Sequence, residues 1–312
     1  IYFTSGGSEA DNQAIISAAR FGAKKGKKHI ISTAFEHHAV LHTLERLEKE
    51  GFAITLLDIP ENGIVTAEQV AEAIRPDTCL VTVMFANNEI GTVQPLEKIG
   101  EIARKHGVLF HTDAVQGFLK IPFAAKTLGA DLISVSSHKI HGPKGAGALY
   151  ISPRLKSFPA YLVGGGQENN FRSGTEGTPA IFGFGAACAA VSATFREDSL
   201  REQALLAGLV EKIEASEGIV INGAHEAPHI LSLSIPGVPT QNTINVLQDH
   251  GICVSAGSAC AKGHRSHVLE AMKTSPKVMD GSFRVSLCRD TTEEELDQLV
   301  DVLRKDVVAR FL

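Results

Sequence analysis

The sequence predicts an α/β fold, with a large, mostly parallel sheet domain over residues 1–197 and a small α+β C-terminal domain over residues 198–312. Three observations carry this. Short β-rich runs alternate with helically spaced apolar residues through the first half, as βαβ units require. Polar and glycine residues recur directly after those runs. From about Ala160 the texture becomes irregular, and Ser199 to Ser216 then reads as a long amphipathic helix leading into a second domain.

The first run, Ile1 to Thr4, enters the glycine turn Ser5-Gly6-Gly7-Ser8-Glu9-Ala10, after which Ala14, Ile15, Ile16, Ala18, Ala19 and Phe21 recur at helical spacing. A strand, a glycine turn and a helix start present several free N–H groups together, a geometry that holds a phosphate. The alternation continues with strand 29–33, helix 37–50, strand 53–57, helix 67–74, strand 80–85, helix 96–106 and strand 108–111. Strand 131–135 and strand 146–151 then enclose the turn Ser136-Ser137-His138-Lys139-Ile140-His141-Gly142-Pro143-Lys144-Gly145. An apolar helix is expected over 181–195. Beyond residue 216 come strands 219–221, 229–235, 252–255 and 282–287, and a closing helix 292–311 whose Thr292 and following glutamates form a capped start.

Composition narrows the function classes. A content of 44% apolar and 21% charged residues is that of a chain with a sizeable core, not a disordered or fibrous one. The net charge of −5 argues against nucleic acid or an anionic membrane as the main partner. No single apolar run reaches the roughly 18 residues of a bilayer span. Five cysteines, an odd number without paired metal-ligand spacing, suit a cytoplasmic protein and leave no metal site expected. Cys79, Cys188 and Cys253 lie in apolar segments and read as core residues; Cys288, beside Arg289, stays open. The chain starts at Ile1 on what reads as a strand, so a longer protein is expected.

In a parallel sheet, ligands gather at the C-terminal strand ends. Those ends deliver Gly7 and Ser8, then Glu36, His37 and His38, then Asn87, Asn88 and Glu89, then Asp113 and Gln116, then Ser136, His138 and Lys139. Each has a plain structural alternative: a turn at Asn87-Asn88, a helix start at His37, a cap at Asp113. Together they are an anion cradle, an imidazole, an amide, a carboxylate and an amine on one edge. A lysine near apolar surroundings loses some preference for its ammonium form and can attack a carbonyl. Pyridoxal 5′-phosphate makes chemical use of this set. It needs a lysine for its aldehyde, a phosphate cradle, a carboxylate at its ring nitrogen, donors for its phenolic oxygen and a stacking partner.

The smaller domain adds two features. Cys260 lies in Ser255-Ala256-Gly257-Ser258-Ala259-Cys260-Ala261-Lys262-Gly263, among small residues and near Lys262, His264 and Arg265, where a thiol ionises more readily. Arg284 alternates with apolar residues in Ser282-Phe283-Arg284-Val285-Ser286; its planar fork suits a carboxylate, although a wet edge-strand position explains it too. Arg172, followed by Ser-Gly-Thr, is a further phosphate-contact option.

These motifs, with Arg172-Ser173-Gly174-Thr175, Gly257-Ser258-Ala259-Cys260 and Arg284-Val285-Ser286-Leu287, resemble in order and across the whole chain those of the NifS/IscS-like cysteine desulfurases. The resemblance implies a homodimeric, pyridoxal-phosphate-dependent transferase of fold type I, the aspartate aminotransferase-like architecture, acting on L-cysteine. It implies Lys139 as the cofactor lysine, His37 stacked on the ring, Asp113 at the ring nitrogen, and Asn88 and Gln116 near the ring oxygen. Gly7, Ser8, Ser136 and His138 would hold the phosphate, and Thr175 would reach the phosphate of the partner subunit. Arg284 and Asn88 would bind the substrate, and Cys260 would accept sulfur as a persulfide for a protein acceptor, an iron–sulfur scaffold or a tRNA-thiolation protein. Family members carry additional N-terminal residues, commonly have Ala-Thr where Gly7-Ser8 stands, and in the housekeeping forms have a longer loop after the cysteine. The rival expectations are a selenocysteine lyase or aminotransferase on the same fold, or a sulfur-handling interaction protein without turnover.

Overall fold

The computed structural model describes residues 1–155, 157–257 and 265–312. It divides into two compact units: residues 1–58, 65–86 and 94–194, and residues 59–64, 87–93 and 195–312. The second unit therefore takes two short segments from within the first half, where the sequence suggested a single boundary after residue 197.

The first unit is built on a seven-stranded sheet. Its strands are β1 (Tyr2–Thr4), β2 (His29–Thr33), β3 (Ala53–Leu57), β4 (Thr78–Thr82), β5 (Leu109–Asp113), β6 (Leu132–Ser136) and β7 (Gly147–Ile151), in the order β1-β7-β6-β5-β4-β2-β3. β2, β3, β4, β5 and β6 are mutually parallel, whereas β7 is antiparallel to both β6 and β1. Two reversals leave β1 running in the same sense as β6, so its C-terminal end lies on the same edge as those of the parallel strands. β2 and β4 are buried along their whole length, which explains why they read as continuous apolar and small-residue runs without alternation.

Helix α1 (Gly7–Ala23) occupies the core of this unit and packs against β4, β5, β6 and β7. Ala10, Ala14, Ile15, Ile16, Ala18 and Ala19 are all buried. Small residues let the helix approach the sheet closely, and Ile15 and Ile16 each contribute about 1.5–3 kcal/mol of apolar burial. Helices α2 (His38–Lys49), α3 (Ala67–Ala73), α4 (Leu96–Lys105) and α5 (Ala125–Leu128) connect the remaining strands. A 3₁₀ turn, Ser137–Ile140, lies between β6 and β7 within the turn expected from the sequence. A single turn, α6 (Gln167–Asn170), has φ of 49°, 54° and 63° at Glu168, Asn169 and Asn170.

One helix, α7 (Thr178–Glu214), replaces the two expected over 181–195 and 199–216. The polar interval Arg196-Glu197-Asp198 does not break it, since it holds neither glycine nor proline and its residues keep the helical backbone bonds. Uninterrupted, α7 is long and apolar enough by length and composition to cross a membrane, a correction to the expectation drawn from separate runs. Its apolar stretch is mostly exposed, with Phe182 at 78%.

The second unit has a three-stranded antiparallel sheet of β8 (Val220–Ile221), β9 (Ile230–Ser234) and β10 (Ser282–Ser286), ordered β10-β9-β8. Helices α8 (Thr240–Asp249), α9 (His267–Ala271), α10 (Pro276–Asp280) and α11 (Glu293–Val302) complete it, the last running on as a π turn over Leu303–Val308 and as α12 (Ala309–Phe311). Leu231, Leu233, Phe283, Val285, Leu299 and Leu303 lie in its core. α8 escaped the sequence reading because its apolar face is narrow: Thr243, Val246 and Leu247 are its buried residues. The strand expected over 252–255 is reduced to one bridge between Ser255 and Arg284. Ile252 and Val254 pack on the core while Cys253, between them, is exposed, which corrects its assignment as a core residue. Cys79 is buried and Cys188 half-buried.

Candidate active site

Four elements end at one edge of the large sheet and carry most of the residues singled out from the sequence. After β1, Gly6 adopts φ 155° and starts α1 with no side chain capping its N-terminal N–H groups. A Cβ on Gly7 would lie 2.7 Å from Val115 Cγ2 and 3.5 Å from Ser136 Cβ, so this turn sits directly against the ends of β5 and β6. There Ser136 Oγ and His138 Nδ1 form a hydrogen bond of 2.8 Å. Uncapped N–H groups beside a serine and a histidine suit a phosphate. Ser8 and Thr175 are exposed and Gln116 is half-buried.

After β2, His37 is the N-cap of α2, its Nδ1 accepting from the Ala39 N–H at 3.1 Å. That bond selects the tautomer with the proton on Nε2. At the end of β5, Asp113 is buried and accepts from the Val115 N–H at 2.9 Å. Burial raises its pKa to about 6, opposed by that hydrogen bond and by the charge of Lys139. Lys139 is thus within electrostatic reach of Asp113, on the 3₁₀ turn. It is exposed, so burial within apolar surroundings does not activate it as the sequence reading supposed. Burial, then the Lys139 and Lys144 charges, push His138 below the usual histidine range.

Behind Asp113 lies a buried polar set that motif reading left unassigned. His111 bonds Thr82 Oγ1 at 2.8 Å and Ser134 Oγ at 2.9 Å, with Asp11 Oδ1 3.6 Å from its Nε2. Burial takes His111 down to about 3, so it is neutral and this is no ion pair. Asp11 is pushed up by burial and by the neighbouring Asp113 charge. Glu36 Oε1 accepts from Thr33 Oγ1 at 2.6 Å and the Met84 N–H at 2.9 Å, and burial pushes its pKa up to about 8. One signal was present: His111 and Asp113 are two apart on a strand and share a face.

Arg172 is used differently from the phosphate-contact option. Its fork grips Glu9 of α1, Nε to Oε1 at 2.6 Å and Nη2 to Oε2 at 2.9 Å. Burial opposes the Glu9 charge, but Arg172 and Ser5 outweigh it and hold the carboxyl below its usual range.

The second unit brings together the two residues expected to bind substrate. Arg284 Nη1 donates to Asn88 O at 2.7 Å and Nε to Ser286 Oγ at 3.1 Å. The alternation of β10 buries Phe283 and Val285 and leaves Arg284 half-buried on the opposite face. Cys260 lies outside the described residues, as do Ser258, Ala259, Ala261, Lys262, Gly263 and His264. Among the described residues no cluster of metal-ligating side chains occurs.

The sheet topology agrees with the comparisons. The family model for aminotransferase class-V matches residues 1–299. The chain belongs to the class-V aminotransferases, among the cysteine desulfurases. It is 42% identical over 317 aligned positions to the cysteine desulfurase IscS of Clostridium botulinum, covering 99% of this chain and 79% of the relative. Among solved structures, a NifS-like protein superposes with a TM-score of 0.89 at 35% identity, over all of this chain and 82% of that one. SspA, solved in complex with cysteine, superposes with a TM-score of 0.79 at 35% identity, over 93% and 82%. The fold is the type I architecture of this family.

Proposed function

We infer that the chain converts L-cysteine to L-alanine and retains the sulfur as a persulfide on Cys260, with pyridoxal 5′-phosphate as cofactor. The observation that carries this is the convergence of Gly7, His37, Asp113, Ser136, His138 and Lys139 at one edge of a single sheet. The donor set fits the cofactor: uncapped N–H groups at α1 with Ser8, Ser136 and His138 for the phosphate, Asp113 for the ring nitrogen, His37 for the ring face, Asn88 and Gln116 for the ring oxygen, and Lys139 for the aldehyde. When bound, the cofactor supplies an electron sink for the substrate carbon.

The chain's own residues do the rest. Asp113, buried and anionic above about pH 6, would hold a positive charge on the ring nitrogen of a bound cofactor. Arg284 holds the substrate carboxylate and fixes its orientation. Lys139, an amine within electrostatic reach of Asp113, moves the proton at the substrate Cα. The Cys260 thiolate attacks the substrate Sγ: a sulfur–sulfur bond forms, the Cβ–Sγ bond breaks, and Cβ takes up a proton, so cysteine plus thiol gives alanine plus persulfide. Thr175 reaches toward a partner subunit in this reading. A second copy covers the exposed apolar face of α7, and the persulfide passes to a protein acceptor, an iron–sulfur scaffold or a tRNA-thiolation protein. Residence in the cytoplasm is supported by Cys79, Cys188, Cys253 and Cys288 all being free thiols.

The test is to load the protein with cofactor, add L-cysteine, quantify alanine, and alkylate and map the persulfide by mass spectrometry. The reading expects alanine and a modified Cys260, with Cys260→Ser retaining cofactor but releasing little alanine. Persulfide on Cys288 or Cys253 with Cys260 unmodified overturns the assignment. Keto acid in place of alanine makes the protein an aminotransferase, and greater turnover of selenocysteine makes it a selenocysteine lyase.

A further inference from the structure

Within the second unit, Glu89 is 3% exposed, and no role follows for it from the reaction above. Its backbone is fixed by Asn87, whose Oδ1 accepts from the N–H groups of Glu89 at 2.8 Å and Ile90 at 3.1 Å. Its Oε2 accepts from Ser266 Oγ, which also caps α9 by accepting from the Leu269 N–H at 3.2 Å. On the other side, a Cβ on Gly257 would lie 3.5 Å from the same oxygen. Oε1 is buried with no hydrogen-bond partner among the described residues. One residue on each side of positions 258–264, Gly257 and Ser266, therefore lies beside one buried carboxylate. The first flank is also locked to Arg284: the Arg284 N–H donates to Ser255 O at 2.7 Å, the Ser255 N–H donates back at 3.1 Å, and Ser255 Oγ donates to Gly257 O at 2.9 Å. Arg284 in turn feels the Glu89 charge, which supports its cationic form against burial.

We infer that Glu89 is a positioning residue that holds the carboxylate-binding Arg284 and both flanks of residues 258–264 in one arrangement. This rests on the roles given above to Arg284 and Cys260. The charge of Glu89 acts on a guanidinium that is bonded to the carbonyl of the preceding residue, Asn88, and its Oε2 takes Ser266 on one flank while lying beside Gly257 on the other.

Three variants separate the two tasks. Glu89→Gln keeps size and an acceptor for Ser266 but removes the charge, so the L-cysteine KM rises about tenfold with little change in kcat. Ser266→Ala leaves the charge and releases one flank, lowering kcat about tenfold at unchanged KM. Glu89→Ala does both. The second readout needs no cofactor: in the apoprotein, iodoacetamide labelling of Cys260 relative to Cys188 rises about threefold in Ser266→Ala and Glu89→Ala and stays constant in Glu89→Gln. A wild-type KM in Glu89→Gln, or an unchanged labelling ratio in Ser266→Ala, overturns the proposal. So does a parallel fall of kcat, KM and thermal stability in all three, the mark of a merely structural role. If the wild type makes no alanine from cysteine, the functional reading fails, while the labelling ratio still decides the placing of Glu89.

Discussion

The two units build their polar machinery in different ways. In the first, the polar residues lie at or behind strand ends of a sheet buried from both sides, and burial reshapes their chemistry: Asp113 near 6, Glu36 near 8, His111 near 3. In the second, Arg284 sits on a three-stranded sheet and is held by hydrogen bonds to Asn88, Ser286 and Ser255. One is an electrostatic device, set by low dielectric surroundings, and the other a geometric one, set by directed bonds. The contrast suits the tasks proposed: tuning proton positions in the first case, orienting a carboxylate in the second.

The largest effect that could break this contrast concerns Lys139, proposed above as the amine that moves the substrate proton. Lys139→Ala is expected to keep the fold, since the residue is exposed, and to lower turnover by about 10³-fold or more, with loss of the covalently held cofactor. Borohydride reduction followed by peptide mapping checks it, and covalent cofactor found on another lysine refutes the assignment.

A smaller effect is expected from the geometric side. Arg284→Ala should raise the L-cysteine KM about 10- to 100-fold, and Arg284→Lys should recover only part of it, because an ammonium lacks the planar fork that a carboxylate matches. Equal KM values for lysine and arginine at this position would make Arg284 a point charge, not an orienting group.

The smallest effect is thermodynamic and belongs to the first unit alone. Glu36 titrates near 8 when folded and near 4.5 in a free side chain, so the folded state binds the extra proton between those values. Stability therefore declines as pH rises from about 4.5 to 8 and levels off above. Glu36→Gln removes that slope and should stabilise the apoprotein by about 2–4 kcal/mol at pH 8 with little effect at pH 4. Denaturant unfolding at the two pH values measures it, and a variant no more stable at pH 8 than at pH 4, relative to wild type, places Glu36 in a charged state.

By itself the sequence determined the alternation of strands and helices in the first half, the order of the motifs, and the choice of Gly7, His37, Asp113 and Lys139 as candidates, because each lies at or just after the end of a strand of regular pattern. Local signals of that kind need only neighbouring residues. Tertiary structure alone decided the rest. That residues 87–93 belong with the second unit, bringing Asn88 and Glu89 to Arg284, depends on contacts across nearly two hundred positions of chain. That α7 is one helix depends on a polar stretch whose composition permits a break without requiring one. The engagement of Arg172 by Glu9, and the neutral His111 beside Asp11 behind Asp113, depend on which side chains share a buried space. Desolvation and long-range pairing are properties of the assembled fold, and no periodicity in the chain encodes them.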